Sequence, residues 1–188
     1  VRLAAFFLFA MLAGCGAETS RLIGRPCDHA LEASGRQVEC ATLIVPENWS
    51  KPRGREVRLE LVRVRASAPA EGLPAVIYLH GGPGGGVLDN VAEALTSPLG
   101  ADLIARDQDW VFFDQRGTGR SRPLLDCGDI ALNDAGPASD AVVAALVACG
   151  RRLSAEGVDF AQYQSRNVAR DVQAIRTALG LAAFDLYG

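Results

Sequence analysis

Two short apolar runs, each passing directly into a glycine-rich loop, constrain the fold of this chain more than any other feature. The first is Ala75-Val76-Ile77-Tyr78-Leu79, followed by His80-Gly81-Gly82-Pro83-Gly84-Gly85-Gly86. The second is Trp110-Val111-Phe112-Phe113, followed by Asp114-Gln115-Arg116-Gly117-Thr118-Gly119-Arg120-Ser121. A run that is apolar at every position suits a strand buried on both faces, as in a parallel sheet covered by helices. Helical patterns fall between and after these runs. Val87 to Leu95 reads as a helix that Pro98 and Gly100 break. Ser139 to Leu153 carries Val142, Leu146, Cys149 and Leu153 on one stripe, and Ser165 to Leu179 carries Val168, Val172, Ile175 and Leu179 on one face. Ser165 is expected as N-cap of the last helix and Gly180 as its C′ residue. Phe184 to Tyr187 begins a further buried strand. Upstream, Val38 to Val45 reads as a strand closed by Pro46. Val57 to Val64 alternates, as in an antiparallel edge hairpin with one wetter face. Strands alternating with helices place the chain in the α/β class.

The glycine loop could in principle cradle a phosphate. A P-loop requires Gly-Lys-Ser or Gly-Lys-Thr at its end, and Val87-Leu88 stands there; a dinucleotide fingerprint counted from Gly82 and Gly84 requires glycine where Val87 stands. What remains is a backbone able to approach a ligand closely, with N–H groups that can face an oxygen becoming anionic during acyl transfer. Pro83 has no N–H, which leaves Gly82 or Gly84 as the expected donor. The 114–121 segment ends the second buried strand on the same sheet edge, where open α/β sheets bind ligands. Asp114 and Arg116 are spaced to brace it with an ion pair.

His80-Gly81-Gly82-Pro83-Gly84-Gly85 followed by Asp114-Gln115-Arg116-Gly117, Gly119 and Ser121 resembles the proline iminopeptidases and the exported tripeptidyl aminopeptidase group of α/β-hydrolases. Further similarity lies in Cys40 to Pro46 with Glu47 and Trp49, in Tyr163, Asn167, Asp171, Arg176 and Leu179-Gly180, and in the strand-like Phe184 to Gly188. The resemblance covers 27–188. It implies the N-terminal half of a mostly parallel α/β-hydrolase sheet with helices on both faces, ending before the nucleophile elbow. It also implies an oxyanion loop at 80–85, an active-site scaffold at Asp114, Gln115, Arg116, Gly117, Gly119 and Ser121, and a helical cap. The nucleophile, acid and base are then expected beyond Gly188, because no Gly-x-Ser-x-Gly occurs and a base histidine comes late in such a chain. His80 is therefore expected to hold its loop through ring hydrogen bonds, His29 to be exposed, and the 188 residues by themselves to be inactive. The implied substrate is a peptide cut near a free N-terminus, with no metal or organic cofactor. An esterase on the same fold and an inert lipoprotein binding module are the alternatives.

The opening residues read as an export signal. Arg2 precedes an apolar run, Leu3 to Leu12, too short for a stable membrane span. Leu12-Ala13-Gly14-Cys15 resembles a bacterial lipobox, which implies a signal over 1–14, lipidation of Cys15 and a membrane anchor; the alternative is a plain signal peptide. Residues 15–26 read as a polar tether. Cys27, Cys40, Cys127 and Cys149 remain, and three pairings are open to them. The local one, Cys27 with Cys40 and Cys127 with Cys149, brackets one short segment per pair and suits an oxidising compartment outside the cytosol. With net charge −3, scattered arginines and a single lysine, Lys51, the chain has no electrostatic footprint for nucleic acid.

Overall fold

The structure, a computed structural model, describes residues 20–81, 84–128 and 139–188. The signal, Cys15, Gly82 and Pro83 lie outside the described residues. Six strands form one sheet: β1 (Arg21–Arg25), β2 (Val38–Pro46), β3 (Glu56–Val64), β4 (Ala75–Tyr78), β5 (Trp110–Phe113) and β6 (Phe184–Tyr187), in the order β1-β2-β3-β5-β4-β6. β1, β2, β3 and β5 pair antiparallel in succession, while β4 lies parallel to both β5 and β6. The open sheet is thus mixed, with its parallel portion at β5-β4-β6; the two runs apolar at every position form β4 and β5, whereas β6, expected as a buried strand, carries Asp185, takes the edge position and is largely exposed.

The strand between 57 and 64 is not an edge. Residues 21–25, which the sequence reads as part of a tether, pair with β2 from Ile44 to Cys40 and take the edge position themselves. Arg21 and Arg25 support this register by reaching across to Glu56 and Glu60 on β3. The strand has no buried face to set an alternating pattern, because its side chains, Leu22 and Ile23 included, are almost all exposed.

Alternation along the strands sorts the core into two layers. Leu43, Val45, Leu59, Leu61, Ile77, Val111 and Phe113 pack on one face against Val172 and Ile175 of the helix α5 (Ser165–Ala178). Val62, Val64 and Phe112 pack on the other against Leu31 of α1 (His29–Glu32) and Val91 and Leu95 of α2 (Val91–Thr96). A short 3₁₀ turn at Leu88–Asn90 leads into α2. The break before Pro98 is as expected, with α2 ending at Thr96, but Pro98 has a second role. It opens a new helix, α3 (Pro98–Leu103), at the first-turn position where proline's missing N–H costs nothing, with Ser97 Oγ capping Gly100 N at 3.1 Å. α4 (Asp140–Ala155) buries Val142, Cys149 and Leu153, but Leu146 is exposed. The Cys127–Cys149 disulfide and the cluster of Cys149, Leu153 and Val158 hold the second half of that helix. Cys27–Cys40 is the second disulfide, so both local pairings are formed. α5 starts at Ser165 itself; the preceding Gln164 is extended and lends no side-chain cap. At the other end Gly180, at φ +66°, donates to Thr177 O while Leu181 donates to Arg176 O, the paired bonds of a Schellman motif.

Asp109 ties the start of β5 to its surroundings. Its carboxylate accepts from Arg63 Nε at 2.9 Å, Arg63 Nη2 at 2.6 Å and Ala66 N at 2.8 Å. Burial pushes this carboxyl up, but the Ala66 N–H, Arg63 and Arg65 together outweigh burial and hold it below its ordinary 3.8. A carboxyl depressed on folding contributes stability above its unfolded pKa and loses it as pH falls through the folded value. Asp109→Asn is therefore expected to cost about 1–2 kcal/mol at pH 7. In urea unfolding of the full-length protein at stepped pH, the gap to wild type should hold at neutral pH and shrink progressively as pH falls through 3.8 and below; a gap independent of pH would refute this account.

Candidate active site

Parallel strands place their carboxyl ends at one edge of the sheet. The loops after β4 and β5 meet there, and the end of β6 arrives beside them, where Leu79 N–H donates to Tyr187 O at 2.8 Å. Asp114 leaves β5 only 1% exposed. Its Oδ1 accepts from Val87 N at 2.6 Å and Leu88 N at 3.2 Å, and its Oδ2 accepts from Arg120 N at 2.7 Å. One carboxylate therefore holds the far end of the glycine loop and the middle of its own loop. Such closeness excludes side chains nearby. A Cβ on Gly119 would lie 2.2 Å from Asp114 Oδ2, and one on Gly86 would lie 2.6 Å from the Gly119 Cα. Gly119 also stands at φ +50° and Gly117 at φ +82°, in the left-handed region that favours glycine. Ser121, fully buried, donates from Oγ to Asp114 O at 2.6 Å and accepts from Glu60 N at 3.1 Å, which fastens the end of the loop to β3.

Asp114 and Arg116 do not pair with each other. Asp114 turns to the α2 face, where the first N–H groups of a helical turn need an acceptor. Arg116 turns to the α5 face and meets Asp171 in a two-pronged ion pair, Nε to Oδ2 at 2.7 Å and Nη2 to Oδ1 at 2.6 Å. Arg116 Nη1 also donates to the carbonyls of Glu47 at 2.7 Å and Gln162 at 3.1 Å. Trp49 Nε1 donates to Asp171 at 3.2 Å, and Tyr163 donates its O–H to Glu47 Oε1 at 2.8 Å. Burial raises the Asp171 carboxyl, with Arg116 and Trp49 pulling the other way. Burial and the Glu47 carboxylate together hold the Tyr163 proton far above the ordinary phenol range.

No hydrogen bond from the His80 ring to its loop is present among the described residues. Nδ1 is buried without a partner among the described residues. The loop is held at that end by main chain instead, since Gln115 Nε2 donates to His80 O at 2.9 Å. Gly81, Gly84 and Gly85 are exposed at the sheet edge, and His29 is exposed far along the chain. The spacing of the motif points Arg116 at Asp114 and so misses its pairing with Asp171. The sequence does hold a signal for it, because Asp171 falls between Val168, Val172 and Ile175 on the apolar face of α5, where an acid requires a buried cation.

Breaking a buried pair leaves one charge stranded. Arg116→Met is expected to destabilise the full-length protein by about 3–5 kcal/mol. Arg116→Met with Asp171→Leu should recover part of that loss, leaving the Glu47 and Gln162 carbonyls without their donor. Denaturant unfolding of both variants checks this; a double variant no better than the single would refute the pairing's role.

Residues 74–188 match the family model of the alpha/beta hydrolase fold. Carboxylesterase B of Mycobacterium tuberculosis is 34% identical over 155 residues, which cover 76% of this chain and 29% of that protein. Tripeptidyl aminopeptidase of Streptomyces coelicolor is 31% identical over 157 residues, 77% of this chain and 29% of that protein. Serine protease Hip1 of Mycobacterium tuberculosis is 32% identical over 154 residues, 75% of this chain and again 29% of the relative. Among solved structures, a proline iminopeptidase-related protein of Thermus thermophilus aligns with a TM-score of 0.40 at 26% identity, over 76% of this chain and 33% of that one. The chain thus spans about three-tenths of the length of the curated relatives it matches. A family match over 74–188, on a strand order and edge loops built as described, makes this chain a member of the α/β-hydrolase fold family.

Proposed function

We propose that this chain is the front portion of an exported serine hydrolase that cleaves peptide bonds near a free N-terminus. The observation that carries the reading is the convergence of three chain segments at one sheet edge: the glycine loop after β4, the braced loop after β5, and the end of β6. An α/β-hydrolase presents its nucleophile at such a place, with one oxyanion donor supplied by the loop after the equivalent of β4. In this reading a serine beyond Gly188 attacks the scissile carbonyl, and an N–H of Gly82 or Gly84 faces the oxygen as it gains charge. The amine then departs, and water releases the acid from the acyl-enzyme. The acid and base also lie beyond Gly188, so residues 1–188 alone do not turn over substrate. Export is supported by the two disulfides and by the signal-like opening, with Cys15 as the lipid attachment point.

An esterase is the second reading, favoured by the 34% identity to a protein named carboxylesterase B. Both share one acyl-enzyme, so substrate choice separates them. The full-length protein should label with a fluorophosphonate and hydrolyse peptidyl amides bearing a free N-terminus. N-acetylated versions of the same amides should be poor substrates. Turnover of simple esters with none of these amides would replace the peptidase reading by the esterase one. Absence of labelling would sink both in favour of a binding module.

A further inference from the structure

The glycine loop is gripped at both ends by consecutive residues of the neighbouring strand. At its start, Gln115 Nε2 donates to the His80 carbonyl at 2.9 Å. At its far end, Asp114 Oδ1 accepts from Val87 N at 2.6 Å and Leu88 N at 3.2 Å. The two grips differ in what else depends on them. Asp114 is buried and also holds Arg120 N, so its loss would dismantle the second loop as well. Gln115 is half-buried, and its side chain makes a single hydrogen bond among the described residues, the one to His80. It lines a groove with Leu79 and Val168, so its aliphatic stem has apolar neighbours whatever stands at the end of it. The His80 ring Nδ1 is buried without a partner among the described residues, so the anchoring bond seen at this residue is the one to its carbonyl. A run of glycines cannot fix its own path, since each has the widest backbone freedom of any residue.

We propose that Gln115 is a positioning residue for the oxyanion hole, aiming the N–H groups of the glycine loop by holding the His80 carbonyl. This rests on the serine-hydrolase reading above. Gln115 touches neither substrate nor nucleophile in this role. It sets the direction of the chain at the point where the loop leaves β4, while Asp114 sets the direction where the loop enters the 3₁₀ turn at Leu88. The amide must donate, so a side chain of equal length without a donor will not serve.

The test uses the full-length protein carrying Gln115→Met or Gln115→Glu, which keep the length of the side chain and remove the donor. A fluorophosphonate reports two quantities: the labelling endpoint counts folded sites, and the labelling rate depends on stabilisation of the developing oxyanion. The expected result is an unchanged endpoint, with labelling rate and kcat per titrated site lower by about 10- to 100-fold and KM within about twofold of wild type. Rates per titrated site within about twofold of wild type in both variants would overturn the proposal, as would a loss confined to KM. A wild-type protein that does not label at all overturns the serine-hydrolase reading itself, which is a different failure from a wild type that labels and variants that keep pace with it.

Discussion

The carboxylate of Asp114 sits in the interior with no side-chain cation as partner among the described residues. Its charge is accommodated by main-chain N–H groups of Val87, Leu88 and Arg120. Burying a carboxylate is costly unless its oxygens are taken up, and charge-assisted bonds from N–H groups are among the stronger ones available. The arrangement explains the spacing of the motif. Glycine is needed five residues on, because the chain passes over the carboxylate too closely for a Cβ. The N–H of Arg120 follows as the third donor, and the hydroxyl of Ser121 then returns to the carbonyl of Asp114 itself. Remove the carboxylate and both edge loops lose their common anchor.

Arg116 completes the division between layers. Two residues after Asp114, it serves the opposite face, where it joins β5 to α5 through Asp171 and to the end of β2 through the carbonyl of Glu47. A buried ion pair contributes little net stability compared with well-packed apolar residues, since desolvation consumes much of the Coulombic gain. Its geometry is demanding, however: two prongs to Asp171 and two carbonyls fix where α5 lies against the sheet. α5 leads directly into β6 through the glycine turn at 180. The placement of the β6 end beside the glycine loop therefore depends on this pair as well as on the β4–β6 ladder.

The central elements are legible in the sequence because their signals are local. An unbroken apolar run names a doubly buried strand, and the period of α5 names its packed face; β4, β5 and α5 follow from those. The partners of polar groups are not legible. Asp114 and Arg116 are two residues apart, which suggests a mutual pair, but the strand has ended before them and the chain sends them to opposite faces. His80 invites a role for its ring, yet the structure uses its carbonyl, an atom every residue possesses and no sequence can single out. β1 escapes notice for a related reason. An edge strand with exposed side chains has no alternation to betray it, and its register is written in arginine–glutamate contacts two strands away. Pro98 does break the helix before it, and the serine immediately preceding it marks the start of another.

A loop that stabilises an anionic intermediate has two opposed requirements. Its N–H groups must stay available, which argues against satisfying them within the fold. They must also be held still, because donors that reorganise during the reaction give back much of what they contribute. A glycine-rich segment meets the first requirement and fails the second. The neighbouring strand meets the second from outside, since Gln115 takes a carbonyl at one end and Asp114 takes N–H groups at the other. Neither bond uses an N–H between the two ends. Rigidity is thus imported from a packed strand, which is what the proposed oxyanion role would demand of a glycine-rich loop.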